Sequence, residues 1–203
     1  GLLATQMPDG YIGNYSDEAA LQHWDIWGRK YTLLGLLAYY DLTGDKNALN
    51  AAKKMTDHLL TRVGPGKTDI VKTGNYRGMP SSSILEPIVY LYRRTNDTRY
   101  LDFAKYIVGQ WETPDGPKLI SSALSGVMVA ERFPHPDSWW SYENGQKAYE
   151  MMSCYEGLLE LYRLTGEPAS LKAVEMAVRD IIDNEINIAG SGSAFECWYN
   201  GTR

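Results

Sequence analysis

The chain has 203 residues and a formal net charge of -5, one domain's worth of sequence and long enough for a sizeable core. An acidic balance with scattered Lys and Arg argues against a nucleic-acid surface, and no run approaches the roughly 20 apolar residues of a membrane span. Cys154 and Cys197 are the only cysteines, too few for a disulfide framework or a metal knuckle; Cys154, in a helical run, reads as a small core residue.

Residues 1–16 read as a loop, with Met7-Pro8-Asp9-Gly10 a turn signal before Tyr11-Ile12-Gly13-Asn14-Tyr15. The first 20 residues lack the charged start and apolar centre of a signal peptide, and the opening Gly1-Leu2-Leu3 reads as cut from something longer. A helix is expected from Asp17 to Leu42. Its second half (Leu33, Leu34, Leu36, Leu37, Tyr40) is apolar round much of its girdle, the mark of an inner helix. Its partner, Asp45 to Arg62, sets Leu49, Ala52, Met55 and Leu59 on one face and Lys53, Lys54 and Asp57 on another, the mark of an outer helix.

After a Gly- and Pro-punctuated stretch, a second inner helix is expected from Ser81-Ser82-Ser83, where hydroxyls can cap, to Thr95-Asn96. Pro87 then has to lie in its first turn or at a kink. Asp97 to Trp111 is the outer partner. Thr113-Pro114-Asp115-Gly116 repeats the turn chemistry of residues 7–10, and 112–145 is irregular, holding Phe133-Pro134-His135-Pro136-Asp137-Ser138-Trp139-Trp140; loops of that length are usually functional. A third hairpin is expected over 145–165 and 167–184. The tail then runs into Ala194-Phe195-Glu196-Cys197-Trp198-Tyr199 and ends without a closing element, so the chain is expected to stop partway through its fold.

One phrase recurs at the three hairpin turns: Tyr40-x-x-Thr43-Gly44-Asp45, Tyr92-x-x-Thr95-Asn96-Asp97 and Tyr162-x-x-Thr165-Gly166-Glu167-Pro168. Gly and Asn most readily adopt the left-handed conformation that closes a helix. The acidic residue suits the next helix start, and Pro168 its first position. A repeated hairpin cannot bury its apolar face alone. The expected fold is therefore all-α: a single domain over residues 1–203 whose three helical hairpins form half of an (α/α)6 toroid. An open solenoid is the alternative; short turns within hairpins and long loops between them favour the toroid. Its inner-helix starts would gather at one mouth.

Several sequence runs carry a family resemblance. Pro8-Asp9-Gly10-Tyr11-Ile12-Gly13, Leu36-Leu37-Ala38-Tyr39-Tyr40-Asp41-Leu42-Thr43-Gly44 and Leu91-Tyr92-Arg93-Arg94-Thr95-Asn96-Asp97 through Lys105 resemble the bacterial β-L-arabinofuranosidase family of glycoside hydrolases. The resemblance spans essentially the whole chain. It implies an acid/base glutamate after a Gly/Ser/Ala-rich approach, matched by Gly190 to Ala194 before Glu196, with Phe195 and Trp198 desolvating the carboxyl. It also implies a zinc-held cysteine thiolate nucleophile. Those ligands are expected beyond this chain: Glu196-Cys197 lacks the spacing of the family's Glu-x-Cys motif, so no metal or cofactor is assigned within the chain. Zinc belongs to the full-length protein if the downstream cysteines are present. The histidine that often opens each inner helix in the family is absent; Lys30-Tyr31, the Ser81 run and Lys147 stand there, which is compatible with a different glycan.

The substrate-binding candidates cluster at those same starts. Trp24, Asp25, Trp27, Arg29, Lys30 and Tyr31 precede the first inner helix's apolar half, Tyr76 and Arg77 the second, and Lys147 and Tyr149 the third, and Trp198 beside Glu196 joins them as a substrate-binding candidate. Rings stack on sugars and cations meet hydroxyl or carboxylate groups. The same residues also admit bland roles: Asp25 and Arg29 as a solvated i,i+4 pair, the rings as helix-seam packing, Glu196 as a loop carboxylate. Glu150 reads as a buried structural pair with a cation, or as a second carboxylate. The leading function is a β-L-arabinofuranosidase-like glycoside hydrolase with a carbohydrate substrate, weak or inactive as this piece alone. The alternatives are a six-hairpin hydrolase or lyase acting on uronic acids, which Arg29, Lys30, Arg77 and Lys147 would suit, and a non-catalytic binding module. An open hairpin edge also makes self-association an expectation.

Overall fold

Each copy of the repeated phrase closes one helix and starts the next with the same bonds. The computed structural model describes residues 1–133, 147–192 and 196–198. In it Gly44, Asn96 and Gly166 take φ of 72°, 53° and 67°, and their amides donate to the Tyr40, Tyr92 and Tyr162 carbonyls at 2.8 Å each. The threonine before each donates its hydroxyl back to a carbonyl (Tyr39, Leu91, Leu161) and accepts from the amide of the acidic residue after the turn. Asp45 and Asp97 then cap the next helix, accepting from the Asn47 and Arg99 amides at 2.8 and 3.1 Å. Glu167 makes no such side-chain bond; it is one methylene longer, and Pro168 already removes a donor from the first position.

The turns join α1 (Asp25–Thr43) to α2 (Lys46–Arg62), α4 (Leu85–Thr95) to α5 (Thr98–Trp111) and α7 (Ala148–Thr165) to α8 (Pro168–Asp180). Two short helices lie between hairpins: α3 (Met79–Ser82), which leads into α4, and α6 (Leu119–Leu124), which packs on α8. Among the described residues there are two isolated β-bridges and no strand, and no helix is long and apolar enough to cross a membrane. The inner helices α1, α4 and α7 stand side by side, each backed by its own outer helix. The fold is all-α and is built from three hairpins of an (α/α)6-type toroid.

Several local expectations are corrected. The first helix starts at Asp25 rather than Asp17, because Leu21 and His23 take left-handed φ of 67° and 49° and the Asp25 carboxylate holds the Leu21 amide at 2.9 Å. The second inner helix comes in two pieces opened by Gly78 at φ 70°, so the three serines lie inside it and cap nothing at its start. Pro87 does lie in the first turn of α4. The stretch after α5 is partly helical, and the third hairpin ends in a π-turn, Ile181–Glu185. His135, Trp139 and Trp140 lie outside the described residues.

Burial follows position in the arc. Ile88, Val89 and Leu91 of the central α4 are fully buried, whereas α1 buries Leu33, Leu36 and Leu37 but leaves Tyr31, Tyr39 and Leu42 exposed. Tyr149, Met152, Val178 and Ile182 line an open apolar groove along α7 and α8. Cys154 is a core residue, its thiol donating to the Met79 carbonyl.

The α4–α7 seam is closest at Gly157, where an added Cβ would stand 2.9 Å from the Glu86 amide nitrogen and from the Leu85 Cβ. Gly157→Ala is expected to destabilise the protein by about 1–3 kcal/mol, the clash exceeding the gain in helix propensity. Gly35→Ala, which meets nothing within 4 Å, should instead stabilise by about 0.5–1 kcal/mol. Urea unfolding of the two variants checks the pair; a Gly157→Ala protein as stable as the parent would contradict the tight seam.

Candidate functional site

Because the three turns close the inner helices at one end, the inner-helix starts and the loops before them meet at the other. The backbone there is forced. Leu21, His23, Tyr76, Arg77 and Glu196 all take positive φ without being glycine, at about 1 kcal/mol or more each. The loops that impose this press on one another: the Gly74 amide donates to the Leu21 carbonyl at 2.9 Å, and a Cβ on Gly74 would stand 2.8 Å from the His23 carbonyl oxygen.

Along this mouth the aromatic residues form one arc. Tyr31 packs edge-on to Trp27 (5.3 Å between centroids), Trp27 to Trp24 (5.9 Å), and Trp24 reaches Tyr76 of the second hairpin (6.2 Å). The Lys147 ammonium, from the third hairpin, lies 5.2 Å from the Tyr76 ring centroid and 3.9 Å from Glu196 Oε2. Backbone bonds fix that last step: the Ala148 amide donates to the Glu196 carbonyl at 2.8 Å, and Lys147 bridges antiparallel to Cys197. Side chains from all three hairpins, and Glu196 from the tail, therefore share one edge. Arg77 is at the same rim, exposed, its guanidinium over the Phe133 ring.

Other candidates stand elsewhere. Asp25 and Arg29 do pair at i,i+4, but they are buried beneath the arc rather than solvated or facing a substrate. Arg29 donates to both Asp25 oxygens (2.7 and 3.2 Å) and to His58 Nδ1 (3.0 Å), with its guanidinium over the Tyr11 ring. Arg has only donors, so His58 Nδ1 accepts and its proton sits on Nε2, facing Asp9. Tyr11 donates to Asp25 Oδ1 at 3.0 Å. This knot fastens the N-terminal loop and α2 to α1. Trp198 is also buried, 2 % exposed, and belongs to the core. The Glu196 carboxylate, 60 % exposed, therefore lacks the expected desolvation, and Phe195 lies outside the described residues. Tyr149 lines the flank groove rather than the arc.

The buried charges are balanced. Lys30 lies between the Trp27 and Tyr31 rings and 3.7 Å from Glu86 Oε2. Burial pushes the Glu86 carboxyl above its ordinary range, with Glu156 adding and Lys30 opposing. Glu86 went unremarked in the sequence; a carboxylate in the apolar start of an inner helix was the available signal. Glu150, in the first turn of α7, is buried, and its Oε2 has no hydrogen-bond partner. Among the described residues no three His, Cys, Asp or Glu side chains converge on a metal position, Cys154 is bonded into the core, and Cys197 is buried. These residues do not fit a zinc site.

The fold is matched by known proteins. The model for the β-L-arabinofuranosidase GH127 catalytic domain matches residues 1–202. Among solved structures, a GH127 β-L-arabinofuranosidase from Geobacillus stearothermophilus T6 superposes with a TM-score of 0.67 at 19% identity, covering 94% of this chain and 32% of that one. A structure described as a glycoside hydrolase gives 0.64 at 21% identity over 95% and 28% of the two chains, and a GH127 β-arabinofuranosidase gives 0.63 at 20% over 95% and 30%. The chain thus spans about a third of the length of these structures. No curated protein sequence matches it.

The knot beneath the arc has a pH signature. Burial alone would push the Asp25 carboxyl up. The hydrogen bonds and charge of Arg29, with the Leu21 amide and the Tyr11 hydroxyl, outweigh it and hold Asp25 below its ordinary 3.8. Its stabilisation is therefore complete above the unfolded value of 3.8 and is lost as pH falls towards the lower folded value. Asp25→Asn should cost about 3–5 kcal/mol at pH 7, since it leaves Arg29 buried without its counter-charge, and should flatten the acid limb of a stability–pH curve. An unchanged acid limb would contradict the role given to this pair.

Proposed function

Because this chain belongs to the β-L-arabinofuranosidase GH127 catalytic-domain family, we propose that it forms the sugar-binding mouth of a glycoside hydrolase working by carboxylate acid/base catalysis. The observation that carries this reading is the Glu196 carboxylate beside Lys147 at the end of the Trp24–Tyr76 arc. Glycosidic cleavage needs a carboxyl that donates to the leaving oxygen and then takes a proton from water. It also needs a wall that holds the ring, and aromatic faces with polar edges suit one. Glu196 is the acid/base in this reading; Trp24, Trp27, Tyr31 and Tyr76 are the wall, and the exposed Arg77 sets its polar edge, while Lys30 and Lys147 are buried.

The paired charges favour a neutral sugar over a uronic acid. Arg29 is spent on Asp25, Lys30 faces Glu86 and Lys147 faces Glu196, so three of the four cations that would greet a substrate carboxylate already have counter-charges, and Arg77 alone of the four stands exposed at the rim. A plant-type or related glycan bearing neutral furanose units is the substrate class we assign. The nucleophile and any zinc are assigned to residues outside this chain, and no step is derived through them.

In the protein that carries this chain, Glu196→Gln is expected to lower turnover of an aryl β-L-arabinofuranoside by about 10²–10⁴-fold with little change in KM. Trp24→Ala should chiefly raise KM, since stacking holds ground and transition states alike. A panel of aryl glycosides and plant oligosaccharides tests both; equal turnover by the parent and Glu196→Gln would remove Glu196 from the mechanism.

A further inference from the structure

We infer that Lys30 is a positioning residue for the aromatic wall: its buried ammonium clamps Trp27 and Tyr31 at the tilt at which a sugar meets them, and Glu86 holds that ammonium in place. This rests on the reading of the arc as a sugar wall. On a helix, residues four apart share a face and side chains lean back towards the N-terminus. Trp27 and Tyr31 of α1 are therefore neighbours, and the Lys30 stem, between them in sequence, folds back to the same place. An edge-to-face pair is a weak restraint on its own. Lys30 adds a third member. Its ammonium lies 5.1 Å from the Trp27 centroid and 5.3 Å from the Tyr31 centroid, and the two centroids are themselves 5.3 Å apart, with the rings at 72°. The three make a nearly equilateral triangle, with the cation in the corner between the rings. Both distances fall within the about 6 Å over which a ring face attracts a cation, and the attraction grows on desolvation.

The cation stands on the inner side of the wall. Lys30 is 2 % exposed, whereas Tyr31 is 53 % exposed, so the ammonium braces the rings from within and leaves their outer side to a ligand. A buried ammonium without a counter-charge would be costly. Glu86 Oε2, on α4, supplies one at 3.7 Å, and Lys30 in turn opposes the upward push of burial on the Glu86 carboxyl. Because Glu86 belongs to the neighbouring inner helix, the pair fixes the wall to the second hairpin from below. Above it, Trp24 makes the same crossing by packing between Trp27 and Tyr76.

The test separates ring placement from charge burial. Lys30→Met keeps the stem and removes the charge, Lys30→Arg keeps the charge, and Lys30→Met combined with Glu86→Gln removes the ion pair at nearly constant volume. In the protein that carries this chain, Lys30→Met is expected to raise the Kd for methyl β-L-arabinofuranoside about tenfold, and the KM of an aryl substrate with it, while kcat changes by less than about threefold. Lys30→Arg should recover most of that loss. The double variant should regain the parent's urea midpoint yet keep the weakened binding. Fluorine-19 NMR of sugar-free protein labelled with 5-fluorotryptophan, with Trp27 assigned by Trp27→Phe, reads the ring itself. One sharp Trp27 signal is expected in the parent and in Lys30→Arg, and a broadened or split one in Lys30→Met and in the double variant, as the ring samples more than one tilt. A double variant that binds the sugar as the parent does, or a single sharp Trp27 signal in Lys30→Met, overturns the inference and makes Lys30 an ordinary buried charge. Saturable sugar binding by the parent that leaves the Trp24 and Trp27 signals unmoved overturns the wall reading instead, and the sugar-free Trp27 signal still decides the clamp.

Discussion

The hairpin turn is the constraint from which the rest follows. A left-handed Gly or Asn returns its amide to a tyrosine carbonyl four residues back, at 2.8 Å in each of the three copies, and the threonine between them ties the incoming and outgoing backbones. The inner helices are thereby closed at one end by the same geometry, and their starts are carried to the other. Residues 24–31, 76–77 and 147 are far apart in the chain and come to one edge for that reason. A turn with another exit angle would still allow helices, but it would not bring Tyr76 against Trp24 or Lys147 against Tyr76.

Burial separates two kinds of carboxylate–cation pair at this edge. Asp25–Arg29 and Lys147–Glu196 are both carboxylate–cation pairs. In the first, both partners are enclosed: Asp25 accepts from Arg29, Tyr11 and the Leu21 amide, and Arg29 also donates to His58. Buried in this way, the pair serves as a staple. In the second the cation is enclosed but the carboxylate is in water, within reach of a molecule at the rim. The positive φ at Glu196 places that carboxylate at the rim, at a conformational cost which such a segment bears only when its neighbours hold it.

What could be read from residue types alone was whatever depends on neighbours in sequence. The turns were legible because Gly or Asn, Thr and an acidic residue each do one local job, and the hairpins and the three-hairpin arc followed from them. The start of α1 was not, because an amphipathic pattern continues through residues whose backbone is turned aside by the Asp25 side chain. The i,i+4 spacing predicted that Asp25 and Arg29 would pair; that they pair in the dark depends on Tyr11 and His58, which no local rule brings there. Trp198 and Tyr149 were grouped with the sugar wall by residue type, yet one is core and the other faces the α7–α8 groove. Glu86 passed unseen because its partner, Lys30, lies on another helix.

The central claim is that the Trp24–Tyr76 arc is where a sugar lies. Indole N–H NMR during titration with a β-L-arabinofuranoside addresses it most directly. The expected result is a shift of the Trp24 and Trp27 signals, with the buried Trp111 and Trp198 unmoved. Saturable sugar binding that leaves Trp24 and Trp27 unperturbed would contradict it.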